Sequence, residues 1–351
     1  MKQKKYQKII ALFFIIIFIV MSLWLLQRLV MPKYMSEVTE GAMISEYYAE
    51  EKNHDVIFIG DCEVYDTFVP AVLWENYGIH SYVRGSAQQL VWQSYYLLEE
   101  TLRYETPDVV VFNVLALKYN APQKESYNRM TLDGMKFSTS KLKAVQASML
   151  EEEQLIEYLF PLLRYHSRIT ELSKDDVIYL FRKEQVTHNG YYMRVDAVPV
   201  ETIPEGRPLG DYSFGETAMD YLDKMVALCE KKGITLVLVK APSLYPYWYA
   251  EWEQQVEDYA KSHNLAYINF LELQKECGID YNTDTYDAGL HLNLSGAEKV
   301  TRWFGAFLQE ELGLKDRREE VALQNIWEKK LTEFYKDKER KTNQWLNKQI
   351  K

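Results

Sequence analysis

The sequence predicts an α/β fold. The expected architecture is a three-layer sandwich around a five-stranded parallel sheet, with an insertion between strands three and four and an N-terminal transmembrane helix. Three observations carry this reading. Five short apolar runs, at 55–60, 81–85, 109–114, 235–240 and 266–270, alternate with segments of helical periodicity. The strongest runs, Val56-Ile57-Phe58-Ile59 and Val109-Val110-Val111-Phe112, are continuous rather than alternating, as in strands covered on both faces. The chain also opens with an uncharged run from Ile9 to Leu26 behind Lys2, Lys4, Lys5 and Lys8.

The opening run has the length a bilayer requires, since about 20 apolar residues at 1.5 Å rise cover its ~30 Å core. Trp24 stands near its outer end, and the preceding lysines predict a cytoplasmic N-terminus. No small-residue cleavage pattern follows, so residues 9–31 read as an uncleaved signal anchor after a basic cytoplasmic segment, 1–8. Residues 32–52 then form a linker or stalk, and the main domain lies outside the cell.

The first strand ends at Gly60 and the second at Gly85. A helix over 88–104 leads to strand three, and helices over 217–232, 251–263 and 296–312 alternate with the last two strands. The domain spans 53–314. Its insertion, about 118–215, holds two predicted helices, 139–163 and 173–184. After them comes a segment with Pro199, Pro204, Gly206, Pro208 and Gly210. Binding sites of such sheets lie beyond the carboxyl ends of the strands, so an insertion leaving there is placed as a lid or groove wall. The tail, 315–351, reads as a charged helix with an apolar stripe of Ile326, Trp327, Leu331 and Phe334, either packed on the body or free to meet a membrane or partner.

Composition narrows the function. Of 351 residues 47% are apolar and 26% charged, a globular balance, and the net charge of −10 argues against nucleic-acid binding. Both ends are basic, so the body between them is more acidic than the average. A mean hydropathy of −0.33 excludes a polytopic membrane protein. Three cysteines exclude a disulfide framework and leave at least one thiol unpaired within the chain; none belongs to a metal-ligand pattern. No cofactor and no metal are expected.

Two segments carry candidate chemistry. Gly60-Asp61-Cys62 ends strand one, where a sharp turn into a helix start offers free N–H groups to an oxyanion and favours thiolate. The loop Asp284-Thr285-Tyr286-Asp287-Ala288-Gly289-Leu290-His291 precedes the last helix. A histidine that activates a nucleophile needs an acid on its other ring nitrogen. Either Asp287 or Asp284 is placed to serve. Asn113, at the end of strand three, is a candidate oxyanion donor or a local brace. Candidate substrate contacts are Asp61, Lys240, Tyr245, Trp248, His166 and Arg168. The alternative for Lys240 is a local carboxylate pair, and for Trp248 packing of the insertion.

Together these residues resemble the SGNH/GDSL hydrolase family. Gly60-Asp61-Cys62 resembles its first block with Cys for Ser, Gly85 its second, and Asp287…His291-Leu292-Asn293 its last. The Gly-x-Asn-Asp block is absent, and Asp287 precedes His291 by four residues where the family usually has three. The resemblance implies a catalytic triad of Cys62, His291 and Asp287, with an oxyanion hole from Cys62, Gly85 and Asn113. It is nearest in style to membrane-anchored, extracytoplasmic members, the teichoic-acid D-alanine transfer proteins and exopolysaccharide O-acetyltransferases. It therefore implies acyl transfer or ester hydrolysis on envelope polysaccharide or teichoic acid, with a membrane-bound O-acyltransferase as partner. The alternative is a catalytically inactive glycan-binding or scaffold protein of the same fold.

Overall fold

The computed structural model describes residues 2–34, 38–39, 41–181, 185–203 and 205–350. Parts of three sequence expectations, the 32–52 linker at 35–37 and 40, the second insertion helix at 182–184, and Pro204, lie outside the described residues, as do the side chains of Lys2, Lys4 and Lys5.

Five strands form one parallel sheet: β1 (Val56–Gly60), β2 (Ser81–Gly85), β3 (Val109–Asn113), β4 (Thr235–Lys240) and β5 (Ala266–Asn269), in the order β2-β1-β3-β4-β5. Register is set by pairs such as Phe58 with Val83 and with Val111. Both faces of β1 are buried, which is why its run is continuously apolar. Val56 and Phe58 enter one core, against α3 (Pro70–Tyr77), α7 (Leu294–Glu310) and α8 (Val321–Gln349). Ile57 and Ile59 enter the other, against α4 (Val91–Thr101), α5 (Glu216–Lys232) and α6 (Ala250–Ser262). The fold class, the five strands and the insertion after β3 are as the sequence predicts.

The tail helix α8 packs on this body. Leu323, Trp327 and Phe334 are buried, and Trp327 stacks on Trp74 with ring centroids 5.4 Å apart.

The insertion differs from expectation. In place of one helix over 139–163, a helix at Thr139–Ser148 ends at extended Met149, and short helices follow at Leu155–Leu159 and Pro161–Tyr165. The break before Pro161 has a steric cause: the residue preceding a proline avoids helical dihedrals, and Phe160 sits at φ −129°, ψ 77°.

The chain forms two compact units, residues 41–150 with 186–351 and residues 1–40 with 151–185. The first holds the sheet. In the second, α1 (Lys2–Val30) contains a stretch, Tyr6–Val30, long and apolar enough to cross a membrane, with a mean hydropathy of 3.2 over its 18-residue apolar window.

Candidate active site

The site forms where β1, β2 and β3 end at their carboxyl edge. After Gly60 the chain turns into α2 (Cys62–Thr67). Asp61 caps this helix, its Oδ1 accepting from the Glu63 N–H at 3.2 Å. Cys62 is the first residue of α2, so its N–H has no acceptor within the helix. Gly85 leaves room for a close approach. A Cβ there would lie 2.7 Å from Val64 Cγ2 and 3.1 Å from the Asp61 carbonyl, so a side chain at the end of β2 would press on the Cys62 turn.

His291 comes to Cys62 from the loop before α7. Its Nδ1–H donates to Asp287 Oδ2 at 2.7 Å, and its own backbone N–H donates to Asp287 Oδ1 at 2.7 Å. Asp287, not Asp284, is therefore the acid that orients the ring. The four-residue spacing is absorbed by a loop in which Ala288 and Gly289 both take positive φ, 60° and 97°. Asp284 is buried and braces the loop instead, accepting from the Asp280 N–H at 2.7 Å and pairing with Lys299 Nζ at 2.6 Å.

The other ring nitrogen, Nε2, is buried and makes no hydrogen bond of normal geometry. Asp66 Oδ2 lies 4.0 Å from it. The half-buried Cys62 thiol interacts with the imidazole. Burial opposes a charged ring at His291, but the Asp287 hydrogen bond, then Cys62 and Asp66, hold its pKa well above the ordinary imidazole range. Burial pushes the Cys62 thiol up, as do Asp61 and Asp66, while His291 pulls it down. The two groups act on each other, so the proton they share belongs to the pair.

Asp66 has no counterpart in the sequence reading. Burial pushes its carboxyl up to about 7. It accepts from the Tyr286 hydroxyl at 3.1 Å, while its Oδ1 is buried without a partner. The Tyr286 ring lies nearly parallel to His291, centroids 5.6 Å apart, and carries the Arg194 guanidinium 4.5 Å above it. A signal for Asp66 existed: Cys62 and Asp66 stand four apart, the spacing of one helix face.

Asn113 is corrected as an oxyanion donor. Its amide donates to Asp61 Oδ1 at 3.0 Å and to Glu63 Oε2 at 2.8 Å, and its Oδ1 accepts from the Ala241 N–H at 3.2 Å. A strand-end amide set between two buried carboxylates is spent before any substrate arrives. Lys240 is likewise corrected as a substrate contact. It is fully buried, pairs with Glu63 Oε1 at 3.1 Å, and donates to the Ala241 carbonyl at 2.6 Å and Ser243 Oγ at 2.9 Å. Asp61, buried and pushed up to about 6 by desolvation and then Glu63, belongs to the same network.

Trp248 is buried in the core with Phe214 and Trp252, and its indole N–H donates to Glu253 at 2.5 Å, so its ring is not open to a sugar. Tyr245 is half-buried in the same segment. His166 and Arg168 belong to the other compact unit. His166 is exposed and bonded to the Leu163 carbonyl, and Arg168 is committed to the end of α1. Among the described residues no group of three His, Cys, Asp or Glu is placed to hold a metal ion.

No family model matches the chain, and no curated protein matches it. Solved structures do. A protein assigned to the G-D-S-L lipolytic family from Desulfitobacterium hafniense DCB-2 is 13% identical, with 72% of this chain and 98% of that one covered at a TM-score of 0.37. A GDSL-like lipase from Bacteroides thetaiotaomicron VPI-5482 is 12% identical over 78% of this chain and 100% of its own, also at 0.37.

Proposed function

We propose that the chain is a membrane-anchored, extracytoplasmic acyl transferase or esterase of the SGNH type, acting on cell-envelope glycopolymers through Cys62, His291 and Asp287. The observation that carries this reading is the 2.7 Å Asp287–His291 pair, with the ring's other nitrogen left without a hydrogen bond of normal geometry and the imidazole interacting with Cys62 at the start of α2.

In the proposed reaction the Cys62 thiolate attacks the acyl carbonyl carbon. The N–H groups of Cys62 and Gly85 receive the oxyanion. As the tetrahedral intermediate collapses, the carbon–oxygen bond to the leaving alkoxide breaks. That oxygen takes the proton from His291 Nε2, and a Cys62 thioester remains. A polymer hydroxyl, or water, then loses its proton to His291 Nε2 as its oxygen attacks the thioester, and Cys62 leaves as thiolate. Asp287 holds the ring and its charge throughout. Residues 9–31 anchor the protein with its N-terminus in the cytoplasm, and a membrane-bound O-acyltransferase supplies the acyl group.

A second reading is favoured by two specific observations. Asn113 is consumed and burial disfavours the Cys62 thiolate, as expected of a catalytically inactive glycan-binding or scaffold protein. One experiment separates the two. The full chain in detergent is mixed with p-nitrophenyl acetate and its intact mass is read at early times. Gain of one acetyl group on Cys62, absent in Cys62→Ala and slowed in His291→Ala, is the expected result. No acylation across pH 6–10 overturns the catalytic reading.

A further inference from the structure

The short helices of the insertion pack in one compact unit with the apolar helix α1, and they are fixed to its outer end. Arg168 Nη1 donates to the Val30 carbonyl at 2.7 Å and to the Met31 carbonyl at 2.6 Å. These are carbonyls that the end of a helix leaves without intrahelical partners. Arg168 is held in turn by buried Asp176 at 3.6 Å, and Asp176 accepts from the Ser173 N–H and hydroxyl at 2.8 and 2.9 Å. The relay ties the start of the helix at Lys174–Phe181 to the point where α1 ends. That end also bears the residues that favour a membrane–water boundary, with the Arg28 guanidinium 4.8 Å above the Trp24 ring.

These helices leave large apolar side chains uncovered. Ile156, Phe160 and Leu163 are exposed at spacings of four and three, and Val177, Ile178 and Phe181 at one and three, Phe181 being 84% exposed. A soluble surface scatters such residues singly; here they recur on consecutive turns. The sides of α1 are open along its apolar length, so whatever packs beside its outer end lies at the edge of the layer that α1 crosses.

We propose that residues 155–181 form an interfacial platform whose exposed apolar residues, Phe160, Ile178 and Phe181 among them, sink into the outer leaflet of the bilayer beside the anchor. Helices of this kind lie in the interface plane with apolar side chains about 5–10 Å below the headgroups. The inference rests on the reading of α1 as a membrane anchor and adds a second lipid contact to it.

The test uses the full chain, reconstituted in phosphatidylcholine–phosphatidylglycerol nanodiscs at one copy per disc, in a Cys62→Ser background. Cys229 and Cys277 are buried, so a nitroxide reports the introduced thiol. Labels are placed one at a time at Phe160→Cys, Ile178→Cys and Phe181→Cys, with Ile16→Cys in the anchor and exposed Gln254→Cys as references. Collision with oxygen and with a water-soluble nickel chelate is then measured. The expected result is an oxygen-to-nickel ratio severalfold above that of Gln254 at all three positions, approaching that of Ile16. If Ile16 reads lipid while the three positions match Gln254, the platform is overturned and the anchor stands. If Ile16 itself matches Gln254, the anchor reading fails and the platform with it. If the three labels are shielded from both reagents, protein rather than lipid covers the face and the lipid assignment is overturned.

Discussion

The Nε2 of His291 stands 4.0 Å from Asp66 Oδ2, on the side of the ring opposite the Asp287 carboxylate that binds Nδ1 at 2.7 Å. The ring is thus held between two acids. One orients it, and the second adds negative charge where the Cys62 thiolate must form. Asp66 raises both the thiol and the imidazole. Asp66→Asn removes that charge and leaves the Tyr286 contact an acceptor. The rise of Cys62 alkylation by iodoacetamide with pH, and of acylation with it, is expected to move to lower pH. A profile that does not move would show that Asp66 does not act on the pair.

The same carboxyl has a stability signature. In the unfolded chain it titrates near the ordinary ~3.9; in the fold, burial first and then Asp287 hold it up to about 7, against the pull of His291. Between those values the unfolded state has released a proton that the folded state still binds, so stability falls as pH rises across that window and is level above it. Asp66→Asn is free of that loss. Its melting temperature is expected to exceed that of the native chain by a few degrees at pH 8, with the gap closing at pH 4.

Asp287→Asn tests orientation. The amide cannot match both bonds that the carboxylate makes, to Nδ1–H and to the His291 backbone N–H, with the same charge. Loss of the carboxylate also lowers the His291 pKa. Acylation of Cys62 is expected to slow by about 10²–10⁴, the range of a general acid–base contribution, with the fold retained by circular dichroism. Asp284→Asn, which removes charge from the Lys299 pair instead, should lower the melting temperature more than the rate.

The sheet was legible because burial on both faces demands continuous apolar runs, and all five predicted strands occur. The Asp287–His291 pair was legible as a loop acid before a histidine. Spacing alone could not choose between Asp284 and Asp287; the left-handed residues Ala288 and Gly289 decide it, and alanine gives no sign in sequence that it will adopt positive φ. Asn113, Lys240 and Trp248 went elsewhere for one reason. A polar or aromatic residue at a strand end reads the same whether it faces the groove or turns inward, and here Glu63 supplies a buried carboxylate that draws Asn113 and Lys240 in. The alliance of residues 151–185 with α1 depends on contacts more than a hundred residues apart, which no local pattern encodes.

Glu63 and Lys240 form a buried ion pair at 3.1 Å beneath the Cys62 turn, joined by Asn113 and Ser243. Truncating one partner strands the other's charge, so Lys240→Met is expected to cost about 3–5 kcal/mol in thermal or urea unfolding. The double variant Glu63→Gln/Lys240→Met removes both charges of the pair and should recover much of that loss. If the double variant is no more stable than Lys240→Met, the pair is not what the single substitution breaks.

Gly85→Ala tests whether the turn needs the close approach of β2. The new methyl carbon would fall 2.7 Å from Val64 Cγ2, 3.1 Å from the Asp61 carbonyl and 3.2 Å from the Gly60 carbonyl. Two of these contacts are backbone, at the end of β1 and the cap of α2, and Cys62 is the first residue of that helix. Overpacking of this kind costs about 1–3 kcal/mol. The catalytic reading adds a sharper expectation: the Cys62 and Gly85 N–H groups should move relative to each other, so acylation falls more steeply than stability. Gly233→Ala is the matched control. It is a glycine with a positive φ of 69° and no atom within 4 Å of an added Cβ, so it should lower stability through the backbone alone and leave the rate of Cys62 acylation unchanged. Equal loss of rate in the two variants would remove Gly85 from the oxyanion site.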